Sequence, residues 1–237
     1  MAQASLAASL ESDGLLASMG YEGEGLRTLV FVLGESSLDE SVLPALEAAL
    51  ADPAPLKFIL VHLLGGHPAY DFRYPESFDV YDGLNDEVAA RLEGAGRAFW
   101  AIEARNDYDN AMLYGDHVLR STLDLCRSRR DEAIVWLFAP DHGENVAHYD
   151  NFAGHNTRVM AMYEIPMLFW RSPDFPSPAV DTARLELRPF QTDAMDQALL
   201  GLMGARGGYY RAEADLFSAA YRPLQRFVNN RAFPLRP

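Results

Sequence analysis

The sequence predicts an α/β fold, a three-layer αβα sandwich around a mostly parallel sheet. Two observations carry this. Short, continuous apolar runs of strand length recur along the chain, and segments with helical periodicity separate them. A third points to function: several of these runs end on carboxylates and imidazoles, and in open α/β sheets ligands gather outside the carboxyl ends of the strands.

Taken in order, "RTLVFVLGESS" holds the first run, residues 29–33, which reads as a strand covered on both faces and ends on Gly34, Glu35, Ser36 and Ser37. "LDESVLPALEAALAD" reads as a helix. "LKFILVHLLGGH" carries the second strand over 58–64 and ends on Gly65, Gly66 and His67. The aromatic, proline-bearing "PAYDFRYPESFDVYDGL" reads as a loop. Residues 104–130 read as a helix with an apolar face of Tyr108, Met112, Gly115, Leu119, Leu123 and Cys126, at steps of three and four. "AIVWLFA" is the third strand. "YEIPMLFW" is the fourth, with Pro166 placing it near an edge or bulge. "QTDAMDQALLGLMGA" is a helix with a glycine stop. Residues 1–25 form a weakly helical N-terminal extension, and 26–237 form one domain.

Bulk composition narrows the function classes. Apolar residues make up 49% and charged residues 23% of the 237-residue chain, enough for a packed core. The formal charge of −14, from 34 acids against 20 bases, argues against nucleic acid and against an anionic membrane surface. Cys126 is the only cysteine, so neither an intrachain disulfide nor a thiolate zinc cluster can form. The N-terminus has no basic leader, and Glu11 and Asp13 interrupt its apolar residues. It reads as neither a signal peptide nor a membrane span, so the chain is expected to be soluble.

The chemistry concentrates in "AIVWLFAPDHGENV", where a buried strand stops at Pro140 and delivers Asp141, His142 and Glu144 within four residues. Strand ends at Glu35, at His67 and at Asp141 with His142 can converge in space although far apart in sequence. Two carboxylates and an imidazole make a donor set for Zn²⁺ or Mn²⁺. His148 and His155 follow, able either to bind metal or to hold an anionic group, and His155, in "AGHN", is the better placed. His62, inside the second strand, reads as a satisfied core histidine, and His117, inside the long helix, as structural. Tyr70, Arg73 and Tyr74 are candidates to line a cleft.

The segments "LVFVLGES", "KFILVHLLGGHPAYDFRYPESFDVYD", "NDYDNAMLYGDHVL", "FAPDHGENV", "GHN", "YEIPMLFW" and "PFQTDAMDQALLGLMG" follow one another in an order that resembles the phosphoethanolamine transferases. These form the sulfatase-like branch of the alkaline phosphatase superfamily, and the resemblance spans about residues 27–225. It implies a shortened sulfatase-like domain with zinc as the usual metal. It implies transfer of phosphoethanolamine from phosphatidylethanolamine to lipid A, core sugars or glucans, on the periplasmic side of the inner membrane. By motif, Glu35 resembles the first-strand metal ligand, and Asp141 and His142 the paired ligands. His67 and His155 resemble the histidines that hold the phosphate or a second metal. The chain departs from that pattern where "GESS" runs directly into "LDESVLPALEAAL". The block that carries the family's nucleophilic threonine has no counterpart, which leaves Ser36 and Ser37 as nucleophile candidates and should leave apolar surface uncovered or force repacking. Three function classes follow: a metal-dependent phosphoryl transferase, a non-catalytic relative that binds a metal, a phosphorylated ligand or a protein, or a metal-independent binding module in which Asp141 and His142 only cap turns.

Overall fold

The computed structural model describes residues 28–33, 38–176, 182–228 and 231–233; the proposed extension over 1–25 lies outside these. Strand β1 (Thr28–Leu33) pairs in parallel with β2 (Lys57–His62), in register from Thr28↔Lys57 to Leu33↔His62. Their crossover is a 3₁₀ turn (Asp39–Val42) running into helix α1 (Leu43–Ala51). Pro44 sits in the first turn of α1, where its missing N–H costs nothing, and Pro53 follows its end. The Lys57 ammonium donates to the carbonyls of Leu50 (2.6 Å) and Asp52 (2.9 Å), capping the helix C-terminus and tying it to the start of β2.

Helix α2 (Glu87–Gly94) is capped by Asp86, whose carboxylate accepts from the Val88 and Ala89 amides. Helix α3 (Phe99–Ser128) is the spine of the molecule. Its buried stripe is Asn106, Asn110, Tyr114, Val118, Thr122 and Cys126, at steps of four. This corrects the sequence expectation: Met112 is exposed, Tyr108, Leu119 and Leu123 are only half-buried, and Cys126 alone belongs to both sets. The cause lies in the first half of α3, which buries amides rather than hydrocarbons. Asn110, fully buried, accepts from the Val80 and Tyr81 amides (2.9 Å each) and donates to Asp79 (3.0 Å), the Tyr81 carbonyl (3.0 Å) and the Tyr74 hydroxyl (3.3 Å). Asn106 donates to the Gly83 carbonyl (2.9 Å), and Arg105 pairs with Asp86 and Asp109. The aromatic loop over 70–86 is thus stitched to α3 by buried polar groups, which a search for apolar periodicity does not weigh.

Strand β3 (Val135–Phe138) pairs antiparallel with β6 (Leu168–Arg171). Two-residue strands β4 (Asn145–Val146) and β5 (Ala153–Gly154) form an antiparallel ribbon between them, and β7 (Arg226–Val228) with β8 (Arg231–Phe233) forms a hairpin. Among the described residues the strands therefore pair as four separate two-stranded sheets rather than one mostly parallel sheet: β1–β2 is the one parallel pair and the other three are antiparallel. The connection from β3 to β6 contains no α-helix to carry a parallel crossover, and the chain returns in the opposite direction.

Leu46 and Leu50 of α1, Cys126 of α3, Ile59 and Val61 of β2, Trp136 of β3 and Trp170 of β6 form one apolar cluster. Phe169 of β6 belongs to another, with Ala198 of helix α4 (Met195–Leu202), Leu216 and Phe217. Neighbouring residues of β6 thus serve different cores, as the period-two alternation of a strand requires. Ile59 and Val61 are packed, whereas Leu60 is 43% exposed and His62 is exposed, so His62 is not the core histidine the sequence suggested.

Candidate functional site

Four segments build the site. The first is the turn after β3. The Gly143 amide donates to the Met162 carbonyl (3.0 Å), and a Cβ on Gly143 would lie 1.9 Å from the Ala161 carbonyl oxygen, so only glycine fits there. His142 precedes it. Its Nδ1 lies 2.9 Å from the Gly143 carbonyl oxygen, which can only accept, so this contact places a proton on Nδ1 and leaves Nε2 as the ring nitrogen free to face a ligand. Nε2 is 3.7 Å from the Asp141 Oδ2, and the Asp141 side chain is 90% exposed.

The second segment is the β4–β5 ribbon, with Asn145 opposite Gly154 and Val146 opposite Ala153. Gly154 takes φ +133°, and the ribbon carries His155 back to His142, their ring centroids 3.9 Å apart. The third is the turn after β2. The buried Asp39 carboxylate accepts from the amides of Leu64 (2.8 Å) and Gly65 (2.7 Å), and the turn closes by the His67 amide donating to the Leu64 carbonyl (3.0 Å). The Arg73 guanidinium donates to the carbonyls of His67 (3.3 Å) and Pro68 (3.2 Å), holding the loop on which His67 stands.

The fourth element is Glu144, where the other three meet. Its side chain is only 6% exposed; Oε2 accepts from the buried Tyr70 hydroxyl (2.9 Å), while Oε1 is shut off from solvent without a hydrogen bond, 3.9 Å from His142 Nδ1. Burial pushes the Glu144 carboxyl above the usual carboxylate range. The Tyr70 hydroxyl and the imidazoles of His142, His155 and His67 pull the other way. Burial and the adjacent Glu144 keep Tyr70 protonated well beyond a tyrosine's ordinary range.

His142 and His155 thus stand ring against ring with Asp141 beside His142, and the charges of His67, His142 and His155 all act on the buried Glu144 carboxylate. Glu35, Ser36 and Ser37 lie outside the described residues. Among the described residues, no three His, Cys, Asp or Glu side chains stand close enough together to cage a metal. The donor chemistry that is present fits zinc: an accessible carboxylate and an imidazole lone pair side by side, with the other ring nitrogen already engaged. His148 lies on the surface, and partial desolvation, which outweighs the opposing pull of Asp109, holds its imidazole below the usual histidine range. Sequence reasoning passed over Tyr70 as a partner of Glu144, and over Asp39. Glu144 was visible in "DHGE", but nothing local marks Tyr70, 74 residues away, as its donor. Tyr74 instead lines a cleft of about 390 Å³ rich in carboxylates, including Asp79, Glu103 and Asp107, to which none of the histidines contributes.

A model of the Sulfatase family matches residues 12–205. Phosphoethanolamine transferase EptC of Escherichia coli (strain K12) is 38% identical over 138 residues, which are 56% of this chain and 23% of that protein. The Kdo(2)-lipid A phosphoethanolamine 7''-transferase of Salmonella typhimurium (strain LT2) is 29% identical over 142 residues, 59% of this chain and 23% of that protein. Among solved structures, the C-terminal periplasmic domain of EcEptC from Escherichia coli in complex with Zn superimposes with a TM-score of 0.74 at 29% identity, over 83% of this chain and 56% of that one. The chain therefore spans about a quarter of the length of these curated relatives, 23% in each case. The likeness supports the alkaline-phosphatase-like α/β fold expected from the sequence.

Proposed function

This chain belongs to the sulfatase family and is homologous to the phosphoethanolamine transferases, and from that premise we propose that it is a zinc-dependent, phosphoethanolamine-transferase-like protein. The donor is phosphatidylethanolamine and the acceptor lipid A or another glycan, on the periplasmic side of the inner membrane. Among the described residues no helix is long and apolar enough to cross a membrane. The observation that carries the reading is the pairing of His142 with His155 at 3.9 Å between ring centroids, with the Asp141 carboxylate open beside His142 and the buried Glu144 behind it.

In this reading Asp141 and His142 hold the zinc together with Glu35. When bound, zinc supplies Lewis acidity toward a phosphoryl oxygen, and manganese offers a weaker version of the same chemistry. His67 and His155 donate to the non-bridging oxygens of the phosphate and orient it. The hydroxyl that would attack phosphorus is offered by Ser36 or Ser37. One sequence feature favours a second reading, binding without turnover. The stretch from "GESS" into "LDESVLPALEAAL" contains no threonine to match the family nucleophile, and a serine next to a metal ligand is poorly placed for in-line attack.

The test is binding of phosphoethanolamine to the zinc-loaded protein by calorimetry, alongside transfer from phosphatidylethanolamine vesicles to lipid A. Each histidine contributes a charge-assisted hydrogen bond of about 1.5–3 kcal/mol, so His67→Ala and His155→Ala are each expected to weaken binding by roughly tenfold or more. Transfer is expected to be far slower than in a complete transferase. Unchanged affinity in both variants would remove the phosphate-holding role, and rapid turnover would reject the second reading.

A further inference from the structure

The sequence and the comparisons leave Glu144 without a task, yet the structure spends a buried carboxylate on it. A carboxylate 6% exposed, with one oxygen lacking any hydrogen bond, is costly unless nearby charge or dipole compensates it. Two groups face it. The Tyr70 hydroxyl saturates Oε2 at 2.9 Å, and the Nδ1 edge of His142 lies 3.9 Å from Oε1. The same Nδ1 already meets the Gly143 carbonyl at 2.9 Å. The His142 N–H therefore points into a region of two acceptors, one neutral and one anionic. Its Nε2 is left on the far side of the ring, toward Asp141 at 3.7 Å.

We infer that Glu144 is a positioning residue: together with the Gly143 carbonyl it fixes His142 as the Nδ1–H tautomer, and through the Tyr70 hydroxyl it locks the His142 turn to the loop that carries His67. The zinc part of this inference rests on the function proposed above; the tautomer part does not. An imidazole that ligates through Nε2 gains basicity and a fixed ring orientation when a carboxylate faces its other nitrogen, and loss of such a partner characteristically weakens metal binding by about 10- to 100-fold. Tyr70 serves the same end from the other side. Itself 5% exposed, it stacks edge-on with Tyr108 of α3 at 5.3 Å between centroids, so the carboxylate is anchored to the longest helix in the molecule.

Glu144→Gln keeps the size and the Tyr70 acceptor while removing the charge, and Tyr70→Phe keeps the charge while releasing the carboxylate. Three readouts at one fixed pH separate the possibilities: the His142 tautomer from ¹⁵N chemical shifts of the metal-free protein, zinc affinity by chelator competition, and the melting temperature without metal. The wild type is expected to show the Nδ1–H form. Glu144→Gln leaves the Gly143 carbonyl in place, so it should raise the share of the Nε2–H form without abolishing the Nδ1–H form, and bind zinc about 10- to 100-fold more weakly with an unchanged metal-free melting temperature. Tyr70→Phe should shift affinity in the same direction by less. An unchanged tautomer ratio with zinc affinity within threefold of wild type would overturn the inference. So would an affinity loss fully accounted for by a lower melting temperature, because that is the mark of a purely structural residue. A wild type that shows the tautomer but takes up no zinc would sink the proposed function and leave the positioning role standing.

Discussion

Gly143→Ala is expected to be the most damaging single substitution near the site, costing about 3–5 kcal/mol of stability. The added methyl would sit 1.9 Å from the Ala161 carbonyl oxygen and 3.1 Å from its carbon, both backbone atoms that cannot swing aside like a side chain. Relief requires the turn after β3 to move away from residues 161–162. That motion breaks the 3.0 Å bond from the Gly143 amide to the Met162 carbonyl and carries His142 with it. For a domain of this size the loss corresponds to a melting temperature about 10 °C lower. Zinc affinity should fall as well, because His142 and Asp141 stand on the displaced turn. Thermal unfolding by circular dichroism, in the presence and absence of zinc, checks both halves. A melting temperature within about 2 °C of wild type would mean that the turn is far looser than its hydrogen bonds indicate.

Asn110→Ala is expected to cost about 3–5 kcal/mol by a different route, the stranding of buried polar groups. It removes both partners at once: the oxygen that accepts from the Val80 and Tyr81 amides and the nitrogen that donates to Asp79, the Tyr81 carbonyl and the Tyr74 hydroxyl. Residues 79–81 contain no regular secondary structure, and these bonds tie their backbone to α3. Hydrogen exchange should report it locally, with the Val80 and Tyr81 amides losing protection well before those of α3. Retained protection at these two amides would show that other contacts hold the loop. Tyr74, whose hydroxyl burial pushes up to about 12, bridges Asn110 and Asp107 and should loosen in the same variant.

The two substitutions mark where the sequence was and was not legible. Apolar runs located β1, β2, β3 and β6 within a few residues, because burying hydrocarbon is the strongest local regularity in a chain. They also overstated the result: the run over β2 reads as a buried strand, yet Leu60 and His62 are exposed. The stripe on α3 was misread because Asn106, Asn110 and Thr122 are buried by hydrogen bonding, and no hydropathy pattern registers a satisfied amide. The β4–β5 ribbon was invisible since two residues per strand carry no periodicity, yet that ribbon brings His155 to His142. The directions of β3 and β6 were likewise set by what the connection between them lacks. At the site, the donors announced themselves as strand-end residues. The groups that orient them, Asp39 beneath the His67 turn and Tyr70 behind Glu144, become apparent only once distant segments meet.

The central claim is that Asp141 and His142 form a working zinc site, and elemental analysis of the purified protein tests it most directly. After incubation with zinc and removal of the excess, the account expects about one bound zinc per chain, and none in a double Asp141→Ala, His142→Ala variant that remains folded by circular dichroism. No retained zinc in the wild type, or an equal amount in the variant, would contradict it.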